Sequence, residues 1–382
     1  MMKPAGCAHA ADHGKRLVIK IGSSTLTTSE SKIDYAYLAE VTDQVARVRA
    51  AGWRPIVVTS AAIACGLERL SIEKRPHDMP SLQAAASVGQ SALSTAYAEA
   101  FARHGIVTST VLLTRRDTAD RRAYLHARDT FDRLLELGVV PIVNENDTIS
   151  VEQIRFGDND TLAALVACLV EADLMVILSD IEGLYDANPH HHPDANLIGR
   201  VEAIGPEIMA VAGEAGTTVG SGGMITKIKA ARVLMVAGIP LVVCDGHRAE
   251  AIVDAAAGED VGTLFVAAKK PHEITPKLWI ALGDAARGAL AVDDGAKAAL
   301  IERGSSLLSV GVRSVEGRFE ANDIVDIKDA TGHLFARGKV AFASDEAALA
   351  IGRTRAELQA NRLLASLADK PLVHRDELVV FE

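Results

Sequence analysis

The sequence predicts an α/β protein of two domains, a larger one built on a buried, mainly parallel sheet and a smaller C-terminal one rich in strands. Three observations carry this. The chain has 382 residues, more than the roughly 250 to 300 at which a single core stops growing. From Lys15 to about Val266, short β-branched runs alternate with longer helical stretches. Near AAKKPHEITPK the pattern breaks, where Pro271 and Pro276 bracket a charged stretch that continues neither strand nor helix.

The strands of the larger domain are, in order, RLVIKIG, RPIVVTS, GVVPIVNEND, ADLMVILSD and IPLVVCDG. Each is nearly continuous in apolar residues, as strands covered by helices on both faces are. DYAYLAEVTDQVARVRAAG and DTLAALVACLVEA carry apolar residues three and four apart, which makes them crossover helices. Many strand runs end in Gly, Ser, Asn or Asp, so polar groups gather at the carboxyl edge of the sheet. That edge is where open α/β sheets bind ligands. Beyond Gly288 come short alternating pieces, VGVRSVEG, RFEANDIVDIKD and GHLFARGKVAF, then a helical stretch, EAALAIGRTRAELQANRLLASL, and a closing LVVFE. They read as a small β-rich barrel. The division expected is a disordered leader over 1–14, a first domain over 15–268, a linker over 269–284 and a second domain with its tail over 285–382.

Composition narrows the function. Apolar residues make up 49% of the chain and charged residues 24%, which excludes general disorder. Aromatics are only 4% and the formal charge is −10, so a phosphate backbone would meet neither a stacking surface nor an attractive field. No apolar run reaches the roughly 18 residues of a membrane span, and the N-terminus lacks the apolar core of a signal peptide. The four cysteines form no CxxC pair, which fits a reducing cytoplasm.

Gly220, Gly222 and Gly223 precede a strong helix, MITKIKAARVLMVAG, that Gly238 closes. A glycine-rich turn lets backbone N–H groups approach phosphate oxygens, and the helix dipole adds to the attraction. Lys227 falls near the first turn, placed to offset charge between phosphates during transfer. Spacing alone leaves a flexible loop and a solvated lysine as an equal reading, and no Walker GxxxxGK[ST] pattern occurs. Lys20 lies in the apolar strand RLVIK beside Gly22, a costly place for an ammonium unless it reaches an anion or, on an edge strand, water. Ser60 follows VVT, and Asn144 to Asp147 follow PIV, the hydroxyl, amide and carboxylate groups that an amino acid needs. A plain turn accounts for NEND equally well.

Asp158, Asn159 and Asp160 open the next helix, with more polar groups than one N-cap uses. Asp180 ends LMVILSD, where it can orient Lys20 and Lys227, hold magnesium through water, or simply make a turn. A carboxylate acceptor needs no general base, because such a group ordinarily titrates at about 4.3 and is ionised at neutral pH. The histidines from His190 to His192 sit among Pro and Asn and read as a surface loop rather than a metal site.

Taken in order, KIGSSTL, VVTSAAIACG, VNENDTIS, FGDNDTLAALVA, LSDIEGLY and GSGGMITK resemble the glutamate 5-kinases of the amino-acid kinase superfamily, from about Leu17 to Phe265. VDDGAKAALIERGSSLL and VHRDE resemble the PUA domain appended to many of them. The resemblance implies a three-layer α/β/α sandwich and the transfer of phosphate from ATP, with Mg2+, to L-glutamate in the first step of proline synthesis. It also implies feedback inhibition by proline and homo-oligomerisation, and it leaves the direct magnesium ligand unassigned. By matching positions, Lys20, Ser179, Asp180, Ser221, Gly222, Gly223, Met224, Ile225, Thr226 and Lys227 would line the nucleotide site, with Lys20, Lys227 and Asp180 catalytic. Ser60, Asp147 and Asn159 would hold glutamate, and Gly22, Asp158 and Asp160 would support the site. One departure stands out: the motif usually reads VTSGAI, and here Ala61 replaces its glycine, a strain if that backbone needs positive φ. Ser179 keeps the hydroxyl where threonine is common.

Two other classes compete. PUA domains elsewhere accompany RNA binding, but residues 285–382 hold 13 Lys plus Arg against 15 Asp plus Glu, with no basic run. A non-catalytic amino-acid sensor would not need Lys20, Asp180 and Lys227 together. Among enzymes, kinases of acetylglutamate or aspartate are the nearest alternatives, and Ser60 with the NEND and GDND segments favours free glutamate.

Overall fold

The computed structural model describes residues 14–114, 121–149, 159–189, 191–192, 194–214, 223–268, 280, 286–362 and 364–381. The first domain is an eight-stranded sheet in the order β3-β4-β2-β1-β5-β7-β8-β6. β1 (Arg16–Ile21), β2 (Arg54–Val58), β4 (Val140–Glu145), β5 (Leu174–Ser179) and β7 (Leu241–Asp245) are the five apolar runs. All five are parallel, with β1 at the centre between β2 and β5. Sequence reasoning missed three strands. β3 (Thr108–Leu113) is a half-exposed edge with Thr and Ser among its apolar residues, while β6 (Arg200–Val201) and β8 (Thr263–Phe265) are too short to show a period. β8 runs antiparallel to β7.

Helices cover both faces. They are α1 (Ser23–Leu26), α2 (Tyr35–Ala50), α3 (Ala62–Arg69), α4 (Met79–Ala102), α5 (Arg121–Glu136), α6 (Asp160–Leu169), α7 (Pro206–Glu214), α8 (Met224–Ala237) and α9 (Ala251–Ala257). Alternation along β1 decides which residue meets which layer. Leu17, Ile19 and Ile21 pack with α2, α4 and α9, whereas Val18 packs with α6 and α8. Lys20 shares the parity of Val18, so its ammonium is delivered to the α6 and α8 side. α6 is buried along its whole length, which explains why its sequence is apolar all round after Asp160 and Thr161. α3 and α4 approach so closely that a Cβ on Gly66 would lie 1.7 Å from the Ala85 carbonyl oxygen.

The second domain is a five-stranded sheet, β10-β9-β11-β12-β13, with its own apolar core. Its strands are β9 (Gly288–Val292), β10 (Val312–Gly317), β11 (Ile324–Lys328), β12 (Leu334–Val340) and β13 (Val373–Val380), and α10 (Asp294–Arg303) follows β9. The helical stretch expected before the last strand is two helices, α11 (Ser344–Ala350) and α12 (Arg355–Ala360). Gly352, at φ +67°, breaks it, and Thr354 with Glu357 forms a capping box that starts the second piece. Arg232 of α8 donates to the Leu334 carbonyl at 3.3 Å and lies over the Phe381 ring, so α8 also carries the second domain. Ile280, within the expected linker, is buried in the first domain's core.

Candidate active site

β1, β2, β4 and β5 are parallel, so their carboxyl ends reach one edge of the sheet, and the sequence gives that edge Lys20, Ser60, Asn144 and Ser179. Lys20 Nζ lies 2.7 Å from Asp160 Oδ1, and Lys227 Nζ lies 3.2 Å from Asp160 Oδ2. Thr226 donates its hydroxyl to the same Oδ2 at 2.8 Å. The three charged residues are buried, and Asp160 has no exposed surface at all. Burial alone would raise the Asp160 carboxyl, but the two ammoniums and the threonine hydroxyl outweigh it and hold the group well below the usual carboxylate range. Among the described residues, one carboxylate lies between two ammoniums, a cationic setting that suits a phosphate.

Lys227 gets there because α8 begins at Gly223 and lies beside α6. Gly238 ends α8 in the left-handed region at φ +81°, as its sequence implied. Gly22 has ordinary backbone angles. A Cβ there would make only ordinary contacts, 3.4 Å from Thr25 Oγ1 and 3.8 Å from Lys20 Nζ, so neither backbone nor space demands glycine at this position. Asp180 is exposed at the end of β5 and accepts a bond from Ser179 Oγ at 3.2 Å. The carboxylate in direct contact with both lysines is therefore Asp160 rather than Asp180. The reason is topological: α6 starts under β1 and beside α8. Asp158, Ser221 and Gly222 lie outside the described residues.

Asn159 is the N-cap of α6, yet its side chain makes no cap bond. Instead its amide nitrogen reaches the Thr59 carbonyl at 2.6 Å, Asn144 Oδ1 at 2.9 Å and Ser60 Oγ at 3.1 Å. A residue kept only for capping would bond the helix's own N–H groups. Asn144 is held in turn by Gln90 at 2.8 Å, and Thr59 by the Tyr97 hydroxyl at 2.8 Å. Ser60, Asn144, Asp147 and Asn159 line a cavity of about 510 Å³, the size of an ordinary small-molecule site. Asp147 is half-buried, and that burial pushes its carboxyl up to about 6, with Arg75 pulling the other way. Asn159 and Asp160 are neighbours in sequence, so one dipeptide joins the cavity to the lysine cluster.

Ala61 also lines the cavity, at φ +73° and ψ +13°, in the left-handed region that costs a residue with a Cβ. Sequence reasoning singled out this position. It missed Arg75 and Lys32 at the exposed rim and Gln90 and Tyr97 behind the cavity, none of which stands in a motif.

A buried cationic cluster at the carboxyl edge of a parallel sheet, beside a cavity for a small polar molecule, defines a phosphotransferase of small molecules. The chain belongs to the amino acid kinase family, which it matches over residues 15–245, and a PUA domain follows at residues 288–360. It is similar to glutamate 5-kinase of Geobacter sulfurreducens, 44% identical over 366 residues that cover 96% of this chain and 97% of the relative. Glutamate 5-kinase of Chromobacterium violaceum is 45% identical over 371 residues, 97% of this chain and 98% of the relative. Among solved structures, an isopentenyl phosphate kinase matches with a TM-score of 0.45 at 18% identity, covering 65% of this chain and 99% of that one.

Proposed function

We propose that the protein transfers the γ-phosphoryl group of ATP to the side-chain carboxylate of L-glutamate, yielding L-glutamyl 5-phosphate and ADP, the first step of proline synthesis. The observation that carries this is the Asn159-Asp160 junction, where an amino-acid-sized cavity meets two buried lysines sharing one carboxylate. Asp147 faces the α-ammonium, and Ser60 and Asn159 help position the substrate so that its side-chain carboxylate approaches the lysine cluster. That carboxylate is already ionised, so its oxygen attacks the γ-phosphorus as the bond to the bridging oxygen breaks. Lys227 and Lys20 offset the charge spreading over the transferring group and the leaving phosphate. Asp160 fixes both ammoniums and takes no proton itself, its carboxyl being held ionised by its partners. Ser179, Asp180 and the segment from Ser221 to Lys227 form the nucleotide side.

Magnesium is part of this reading. No cluster of three His, Cys, Asp or Glu fit to hold a metal exists among the described residues, and the carboxylate of Asp160 is occupied by lysines. The exposed Asp180 carboxylate suits an ion that arrives with ATP and keeps most of its waters. When bound, such an ion would neutralise phosphate charge.

The same reading includes feedback inhibition by proline, self-association and a cytoplasmic setting, and it places the domain boundary within 269–284. Buried Cys65, Cys168 and Cys244, with thiols that burial pushes up to about 12, are consistent with a reducing compartment. Among the described residues, no helix is long and apolar enough to cross a membrane. The test is ADP release with a panel of carboxylate acceptors while hydroxylamine traps any acyl phosphate. Glutamate is expected to give trapped product. Product from aspartate or acetylglutamate with none from glutamate rejects the reading.

A further inference from the structure

One charged group of the cavity has no task in this chemistry. Arg75, in the loop between α3 and α4, lines the cavity and is exposed. Its field reaches Asp147, and among the described residues no hydrogen bond or ion pair holds its guanidinium. We infer that Arg75 takes the α-carboxylate of the substrate and thereby decides which of glutamate's two carboxylates is left for phosphorylation. The inference rests on the proposed function, which supplies a substrate with one ammonium and two carboxylates.

Charge at the cavity demands such a group. Its lining includes Glu30, Glu68, Glu73 and Asp147 against Lys32 and Arg75. A substrate of net negative charge entering this mouth is repelled unless a cation receives it. Lys32 is already engaged with Glu30 at 2.8 Å, which leaves Arg75. Position agrees with charge. The α-ammonium and α-carboxylate sit on one carbon, so the cation for the second must lie beside the anion for the first. Asp147 is that anion, and Arg75 is the cation whose field it feels. A guanidinium grips a carboxylate through two parallel N–H bonds, which fixes direction as well as attraction. Ser60 adds a neutral hydroxyl at the buried end, where it already accepts from Asn159 at 3.1 Å. With the α-carboxylate held at the exposed rim, the chain of the substrate points toward Asn159 and the lysines.

The experiment compares L-glutamate with L-isoglutamine, which keeps the side-chain carboxylate and replaces the α-carboxylate by a neutral amide. The wild-type enzyme is expected to favour glutamate in kcat/KM by roughly 10- to 100-fold, the worth of a charge-assisted bond. Arg75→Ala should lose that factor for glutamate through KM, keep kcat, and leave isoglutamine unchanged, so that the preference collapses. Arg75→Lys should restore part of it. Equal losses on both substrates, or none on either, overturn the inference while the glutamate reaction stands. A wild-type enzyme that forms no acyl phosphate from glutamate overturns the function beneath it.

Discussion

At the transfer end of the site, Lys20, Asp160 and Lys227 are almost wholly buried, come from a strand and two helices, and satisfy one another. At the acceptor end, Asp147, Arg75 and Lys32 stand on loops, partly or fully open to water, and Ala61 is held in a left-handed conformation. The first end is rigid because removing Asp160, which both buried lysines share, strands buried charge, a loss of about 3–5 kcal/mol. The second is adjustable because exposed charges lose little when changed. Chemistry common to many acceptors belongs in the first, and discrimination among acceptors in the second.

The sharpest way to break this contrast is Asp160→Asn, which leaves Lys20 and Lys227 without their shared carboxylate. We expect kcat to fall by about 10³-fold, with a smaller change in glutamate KM; steady-state kinetics giving equal changes in both would dissolve the division. Lys227→Ala should lower kcat by about 10²-fold or more while glutamate binding, followed by calorimetry, stays close to wild type. A variant that turned over normally would remove Lys227 from the mechanism.

Asp147 tests the acceptor end through pH. Its carboxyl is raised from 3.8 to about 6, so kcat/KM for glutamate should drop as pH falls through about 6, when the partner of the α-ammonium is neutralised. Asp147→Asn should raise KM by roughly 10-fold or more and abolish that limb. Stability should move the opposite way. The folded state binds this proton more tightly than the unfolded chain, so Asp147 weakens folding as pH rises from 3.8 to about 6 and does so fully at neutral pH. The asparagine variant is accordingly expected to melt about 2 °C higher at neutral pH, as read by circular dichroism.

Ala61→Gly is the gentlest change. It relieves a left-handed backbone worth about 1 kcal/mol, and glutamate KM should fall by up to about fivefold. An unchanged or raised KM would show that the loop tolerates its methyl group.

Much of this was legible in the residues. The apolar runs gave five strands in their correct places, and alternation in RLVIK put Lys20 on one face. Gly223 and Gly238 marked both ends of α8, and the departure at Ala61 pointed to a backbone that proved to have positive φ. These signals are local, carried by periodicity, caps and turns within a few positions of one another. Only the tertiary structure decided that Asp160 holds both lysines. Asp160 and Lys227 are 67 positions apart, and nothing in the sequence distinguishes Asp160 from Asp180 as their partner. It also decided that Asn159 abandons its helix to bind Thr59, Ser60 and Asn144, and that Arg75 and Asp147 line one cavity. The reason is that charge pairing and desolvation depend on which chain segments the sheet brings side by side, and strand order is a property of the packed whole.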